Sequence, residues 1–259
     1  MVKLYKNFNI KKIHKRSIIL IGNFDGVHLG HQKLFKLAQS YKKKYNLKMG
    51  VVNFDPMPKM FFNKKLKNFR LSSKNQKLNL LNNFNIDFVV TKKFNKTFSK
   101  TKSINFIKNI LSKKLNARFI FISNNFRFGN KREGDVKLLI KNEKNFNYKV
   151  VKPKPLLVNK KIVSSSLIRN YLEKGILEKA NKLLNRKWSI EGIVQKGRQV
   201  GKKIGFPTCN IDIKDYILAR PGVYAVKVLR KNNSKYIKGI ANLGYRPTFN
   251  QKKILLEVH

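Results

Sequence analysis

The stretch Ser17-Ile-Ile-Leu-Ile-Gly-Asn-Phe-Asp-Gly-Val-His-Leu-Gly-His31 decides the fold. Its first part, ending at Gly22, is an unbroken apolar run, the pattern of a strand covered on both faces in a parallel sheet. From His31 onward Leu34, Phe35, Leu37, Ala38 and Tyr41 recur at helical spacing with Lys on the opposite face. Strand, Gly-rich turn and helix are therefore expected in that order. The turn falls where a helix N-terminus leaves N–H groups unpaired and carries a partial positive charge. Gly26 and Gly30 let the backbone approach a ligand closely, and His28 and His31 can donate hydrogen bonds to phosphate oxygens. Such a turn can hold a triphosphate and stabilise the charge that grows on it during displacement.

Outward from this unit the same alternation continues. Met49-Gly-Val-Val-Asn-Phe54 reads as a second strand, Ile86–Val90 as a third after a helix around Lys74–Asn83, and Arg118–Ile122 as a fourth after a helix around Ser103–Lys114. Strands alternating with helices specify an α/β class: a Rossmann-like, doubly wound parallel sheet with helices on both faces. An amphipathic stretch over Ser166–Asn185, with Ile168, Tyr171, Leu172, Ile176, Leu177, Ala180, Leu183 and Leu184, is expected to close this domain and lead into the next. From Trp188 the pattern changes to short β-rich pieces, Trp188–Val194, Val223–Leu229 and Tyr236–Leu243, separated by Gly, Pro and Asn turns. That predicts a small all-β barrel or sandwich, with domains at 1–186 and 187–259.

Composition bounds the function. The 259 residues suit two domains rather than one. There is no run of about 18 uncharged apolar residues and no leader pattern at the N-terminus, so the chain reads as a cytoplasmic protein with no membrane partner. The single cysteine, Cys209, excludes an intrachain disulfide framework and a multi-cysteine metal site. The 59 Lys and Arg against 12 Asp and Glu give a net charge of +47, which by itself points to a polyanion. The lysines are, however, spread through every segment instead of gathering on one helix or arm, so dedicated nucleic-acid binding is not expected.

Two further segments carry chemistry. Ser164, Ser165 and Ser166 precede an amphipathic helix and offer hydroxyls and amides at a helix-start anion site, with Arg169 about one turn on, able to reach phosphates. Gly192, Gly197, Gly201 and Gly205 demand a loop folded close to something, and Arg198, Lys202 and Lys203 suggest an anion. Pro207-Thr-Cys-Asn210 then places a hydroxyl and an amide oxygen two residues apart on one side of an extended segment, which suits a cation shared with nucleotide phosphates.

The turn His28-Leu-Gly-His31 resembles the nucleotidylyltransferase superfamily, and the longer string Gly22–Gln32 resembles the FAD-synthetase branch. Asn53-Phe-Asp-Pro-Met-Pro58, Asn124-Asn-Phe-Arg-Phe-Gly129, Gly134-Asp135 and Val163-Ser-Ser-Ser-Leu-Ile-Arg169 follow in that family's order. The family usually has Gly where Ser123 stands and often Asp where Asn125 stands. Gly201–Ile211 resembles the riboflavin kinase signature, with Cys209 where Ala is usual, and Arg220–Tyr224, Ala241–Phe249 and Leu256–His259 follow in order. The chain is thus similar to bacterial bifunctional riboflavin kinase/FMN adenylyltransferases over residues 17–259.

The resemblance implies ATP-dependent phosphorylation of riboflavin to FMN, then attack of the FMN phosphate on the α-phosphorus of Mg²⁺-ATP to give FAD and pyrophosphate. It implies ATP contacts at Gly22, Asn23, Phe24, Gly26, His28, Gly30, His31, Ser164, Ser165, Ser166 and Arg169, and flavin contacts at Asn53, Pro56, Pro58, Asn125, Phe126 and Phe128. For the kinase it implies ATP contacts at Gly197, Gly201, Lys202, Gly205, Pro207, Thr208 and Asn210, the metal nucleotide on Thr208 and Asn210, and Glu257 as base for the ribityl 5′-hydroxyl. The sequence ends two residues after Glu257, where the family continues with more strands and a helix, so the kinase half is expected to be cut short and weakly active. Two other readings stand beside this one. A different adenylyl- or cytidylyltransferase would have no use for the Gly-rich Pro207–Asn210 block. A basic nucleic-acid-binding protein on a degenerate scaffold would show salt-sensitive RNA binding without FAD formation.

Overall fold

The computed structural model describes residues 2–66, 68–195, 207–230, 233–248 and 251–259, with 245–248 and 251–254 by their backbone. The chain divides into two compact units, Met1–Leu66 with Lys74–Ser164, and Lys67–Ser73 with Ser165–His259.

The first unit is built on a six-stranded sheet: β1 (Lys3–Tyr5), β2 (Ile18–Ile21), β3 (Met49–Asp55), β4 (Phe88–Lys93), β5 (Phe119–Phe121) and β6 (Lys149–Val151). Every pairing is parallel and the order is β1-β4-β3-β2-β5-β6. The short edge strand β1 has no counterpart among the expected strands. The apolar run of β2 alternates between two cores: Ile19 and Ile21 face one, Ile18 and Leu20 the other. One core is covered by helix α1 (Leu29–Tyr45) through Leu34, Phe35 and Ala38, the other by the π-helical stretch Phe106–Lys114 through Phe106, Ile107, Ile110 and Leu111. Helices on both faces are therefore what the uninterrupted β2 pattern required. From β2 the order runs one way to β3 and the other way to β5, so the crevice at the carboxyl ends of β2 and β5 is the topological switch point, where ligands bind in open α/β sheets.

In the second unit the amphipathic stretch forms two helices, Ser165–Glu173 and Leu177–Leu184. The break lies at Gly175, in the left-handed region at φ 74°, where an added Cβ would meet the Arg220 side chain at 3.3 Å. A five-stranded antiparallel sheet follows: β7 (Val194–Gln195), β8 (Cys209–Ile211), β9 (Gly222–Val228), β10 (Ile237–Thr248) and β11 (Gln251–Val258), in the order β7-β8-β11-β10-β9. Strand structure begins at Val194, so most of the piece expected at Trp188–Val194 is irregular. Residues 68–73, distant in sequence, join this unit through main-chain bonds. Arg70 N donates to Asp215 O at 3.0 Å, and Ile217 N donates to Arg70 O at 2.7 Å. The Trp188 indole adds a bond to Leu71 O at 2.9 Å.

Candidate functional sites

The histidine turn leaves the carboxyl end of β2 at Gly22 and enters α1 with His28 at the N-cap position. The turn is tightly wound: Gly26 lies at φ 78°, and Phe24 and Val27 also have positive φ, at 48° and 41°. A β-branched residue in that region is strained, at roughly 1–3 kcal/mol, and such strain persists where surrounding packing enforces it. The buried side chains of Phe24 and Val27, locked in the core that α1 covers, provide that enforcement. At Gly30 a Cβ would lie 3.1 Å from His28 Cε1 and 3.2 Å from the Val163 carbonyl oxygen, so the chain just before Ser164 closes directly on the turn.

The two imidazoles stack, with centroids 3.6 Å apart and planes at 22°. Burial holds His31 well below the ordinary histidine value of 6.5, and repulsion from His28 and Lys77 acts in the same direction. His31 is therefore a neutral imidazole at neutral pH. Among the described residues its Nδ1 is buried without a hydrogen-bond partner, as are Asn23 Oδ1 and both side-chain polar atoms of Asn53. Asn53 is fully buried near the carboxyl end of β3, beside β2. Buried polar atoms are satisfied in all but a few cases, so donors and acceptors left open at a sheet's switch point mark where a polar ligand supplies the missing bonds.

The segments expected to hold a flavin flank this crevice. Pro58 opens a short helix, Pro58–Phe62, after β3. Asn125, beyond β5, is exposed and accepts a bond from Ser123 Oγ at 2.9 Å. The Phe126 and Phe128 rings stack at 5.5 Å and 18°. Ring contacts run from Phe54 through Phe98 and Phe106 to Phe128, joining the two segments with an aromatic wall. Ser165, Ser166 and Arg169 belong to the second unit, whereas Ser164 ends the first. Arg169 is buried there, its guanidinium 3.7 Å over the Phe69 ring and its Nε donating to Phe69 O at 2.7 Å.

The second site is a row across the antiparallel sheet. Asn210 on β8 is opposite Glu257 on β11, and Glu257 is opposite Asn242 on β10. Directly paired residues on neighbouring strands share a face, so the three side chains lie abreast. Asn210 is buried, and its Oδ1 has no hydrogen-bond partner among the described residues. Thr208, two residues earlier, is exposed, and the Pro207 carbonyl accepts a bond from His259 Nδ1 at 2.9 Å. Gly197, Gly201, Lys202 and Gly205 lie outside the described residues. Sequence reading missed two side chains. Asn242 is placed beside Glu257 only by strand register. Lys77 reads as an ordinary helix lysine, yet it is buried against the histidine turn.

Comparison with known proteins places both halves of the chain in known families. The family model described as FAD synthetase matches residues 10–167, and that described as riboflavin kinase matches residues 184–259. A bifunctional riboflavin kinase/FMN adenylyltransferase from Buchnera aphidicola subsp. Schizaphis graminum is 43% identical over 254 residues, covering 97% of this chain and 81% of the relative. The Haemophilus influenzae protein of the same name is 36% identical, over 97% of this chain and 81% of its own. A solved structure from Streptococcus pneumoniae, named a macrolide-efflux protein, superposes with a TM-score of 0.85 at 25% identity, covering 100% of this chain and 84% of that one. Among the described residues of this chain no helix is long and apolar enough to cross a membrane.

Proposed function

This chain belongs to the bifunctional riboflavin kinase/FMN adenylyltransferase family, and from that premise we propose how its residues divide the two reactions. It is a transferase of FAD biosynthesis, phosphorylating riboflavin to FMN with ATP and joining an adenylyl group from ATP to FMN. In our reading adenylyl transfer belongs to residues 1–186 and phosphorylation to 187–259.

The adenylyl-transfer half uses the turn after β2. The α1 N-terminus and the imidazoles of His28 and His31 receive the ATP phosphates, with Gly22, Asn23, Phe24, Gly26 and Gly30 shaping the backbone and Ser164, Ser165, Ser166 and Arg169 completing the contacts. Asn53, Pro56, Pro58, Asn125, Phe126 and Phe128 face the flavin. An FMN phosphate oxygen attacks the α-phosphorus while the bond to the bridging oxygen of the β-phosphate breaks, and pyrophosphate leaves. The hydrogen bonds of the imidazoles oppose the charge gathering on that leaving group. The observation that carries this reading is the set of open polar atoms on Asn23, His31 and Asn53 around the switch point.

In the kinase half Glu257 takes the proton of the ribityl 5′-hydroxyl, whose oxygen attacks the γ-phosphorus as ADP leaves. Gly197, Gly201, Lys202, Gly205 and Pro207 line the phosphates. Thr208 and Asn210 would hold Mg²⁺, which suits oxygen donors such as the open Asn210 Oδ1 and would neutralise phosphate charge. A cytoplasmic location fits the lone cysteine, and the dispersed lysines are read as a solvated surface rather than a nucleic-acid interface.

The test is to supply Mg-ATP with either riboflavin or FMN and follow the flavin products. His28→Ala is expected to lower FAD formation at least about 100-fold while leaving FMN formation intact, and Asn210→Ala to do the reverse. Loss of both activities in both variants would refute the division into two sites.

A further inference from the structure

Lys77, on the helix Lys74–Asn82, is 8% exposed. An ammonium so buried is rare unless its charge is compensated or used, because leaving water is costly. Its Nζ donates to the Asn23 main-chain oxygen at 3.3 Å, at the start of the histidine turn. Three residues earlier on the same helix, Lys74 Nζ pairs with Asp55 Oδ2 at 2.5 Å at the end of β3. The helix is thus pinned to the carboxyl ends of both β2 and β3. The titratable groups acting on His31 are His28 from its own turn and Lys77 from this helix, and Lys77 reinforces the neutral state that burial imposes.

We propose that Lys77 is a positioning residue of adenylyl transfer: its ammonium fixes the Asn23 carbonyl, and through it the turn bearing His28 and His31, where the nucleotide triphosphate docks. The inference rests on reading that turn as the nucleotide site. The bond to Asn23 also restrains the strained segment Phe24–Val27 in the shape that aims both rings.

The experiment compares Lys77→Met and Lys77→Arg in the full chain, measuring FAD formation from FMN, FMN formation from riboflavin, thermal melting, and the titration of His31 by NMR. With Lys77→Met, kcat/KM for FAD formation is expected to fall roughly 10- to 100-fold, the order of loosening one preorganised group around a reacting phosphate. FMN formation should stay within twofold, His31 should titrate closer to 6.5, and Lys77→Arg should recover part of the rate. FAD formation unchanged by Lys77→Met, an unmoved His31 titration, or parallel loss of both activities and of the melt with no rescue by arginine would each overturn the proposal. If the unsubstituted protein makes no FAD from FMN, the reading beneath the proposal falls with it, and that outcome is distinguishable from a variant that merely behaves like the parent.

Discussion

The protonation state of His31 governs behaviour at the scale of a single residue. Because burial depresses its folded-state value below 6.5, the unfolded chain binds more protons than the folded one in the interval between the two values. Stability contributed by the neutral ring is therefore complete at pH 7 and declines as pH falls through about 6.5. His14, also lowered by burial, acts with the same sign, so His31→Gln isolates the effect. Urea midpoints at pH 7.0 and 5.5 should drop less in this variant than in the parent, and an equal drop would show that His31 does not carry the dependence. The pairing of two histidines in a Gly-rich turn was visible in the order of residues. Their stacking, and the burial that keeps the His31 ring neutral, depend on tertiary packing such as the edge contact of Phe24 with His31.

Among the elements, the close approach of β3 and β4 has the clearest consequence. Gly50 lies opposite Phe88, and a Cβ at Gly50 would sit 2.1 Å from the Phe88 ring. That ring cannot swing aside freely, since His14 stacks on it at 4.7 Å and Tyr5 meets it edge-on at 6.1 Å. Gly50→Ala is thus expected to destabilise the first unit by about 1–3 kcal/mol, the usual cost of overpacking. A denaturation midpoint equal to that of the parent would contradict this. Strand periodicity marked Met49–Phe54 as buried without marking Gly50 as special, because a glycine inside an apolar run gives no sign of which ring lies across the sheet. The amphipathic stretch 166–185 poses the same difficulty. Its apolar spacing survives the break at Gly175, so periodicity alone does not show where the backbone divides it into two helices.

For the whole molecule, the two proposed centres have their main features on separate sheets: the histidine turn within the first unit, the Asn210–Glu257–Asn242 row within the second. A mixture of His28→Ala and Asn210→Ala proteins is accordingly expected to convert riboflavin to FAD after a lag, as FMN released by one protein is consumed by the other. Continued failure of the mixture, with each variant retaining its own half-reaction, would mean that FMN must be handed on within one chain. Sequence alone determined the α/β and all-β halves, the turn carrying His28 and His31, and the Thr208–Asn210 segment, since apolar period and local glycine and histidine chemistry are written in consecutive residues. Only the tertiary structure decided that residues 68–73 join the second unit, that Lys77 stands under the histidine turn, and that Asn242 lies abreast of Glu257. These relations come from strand register and helix docking between distant segments, where the energy lies in packing and buried charge that no local pattern encodes.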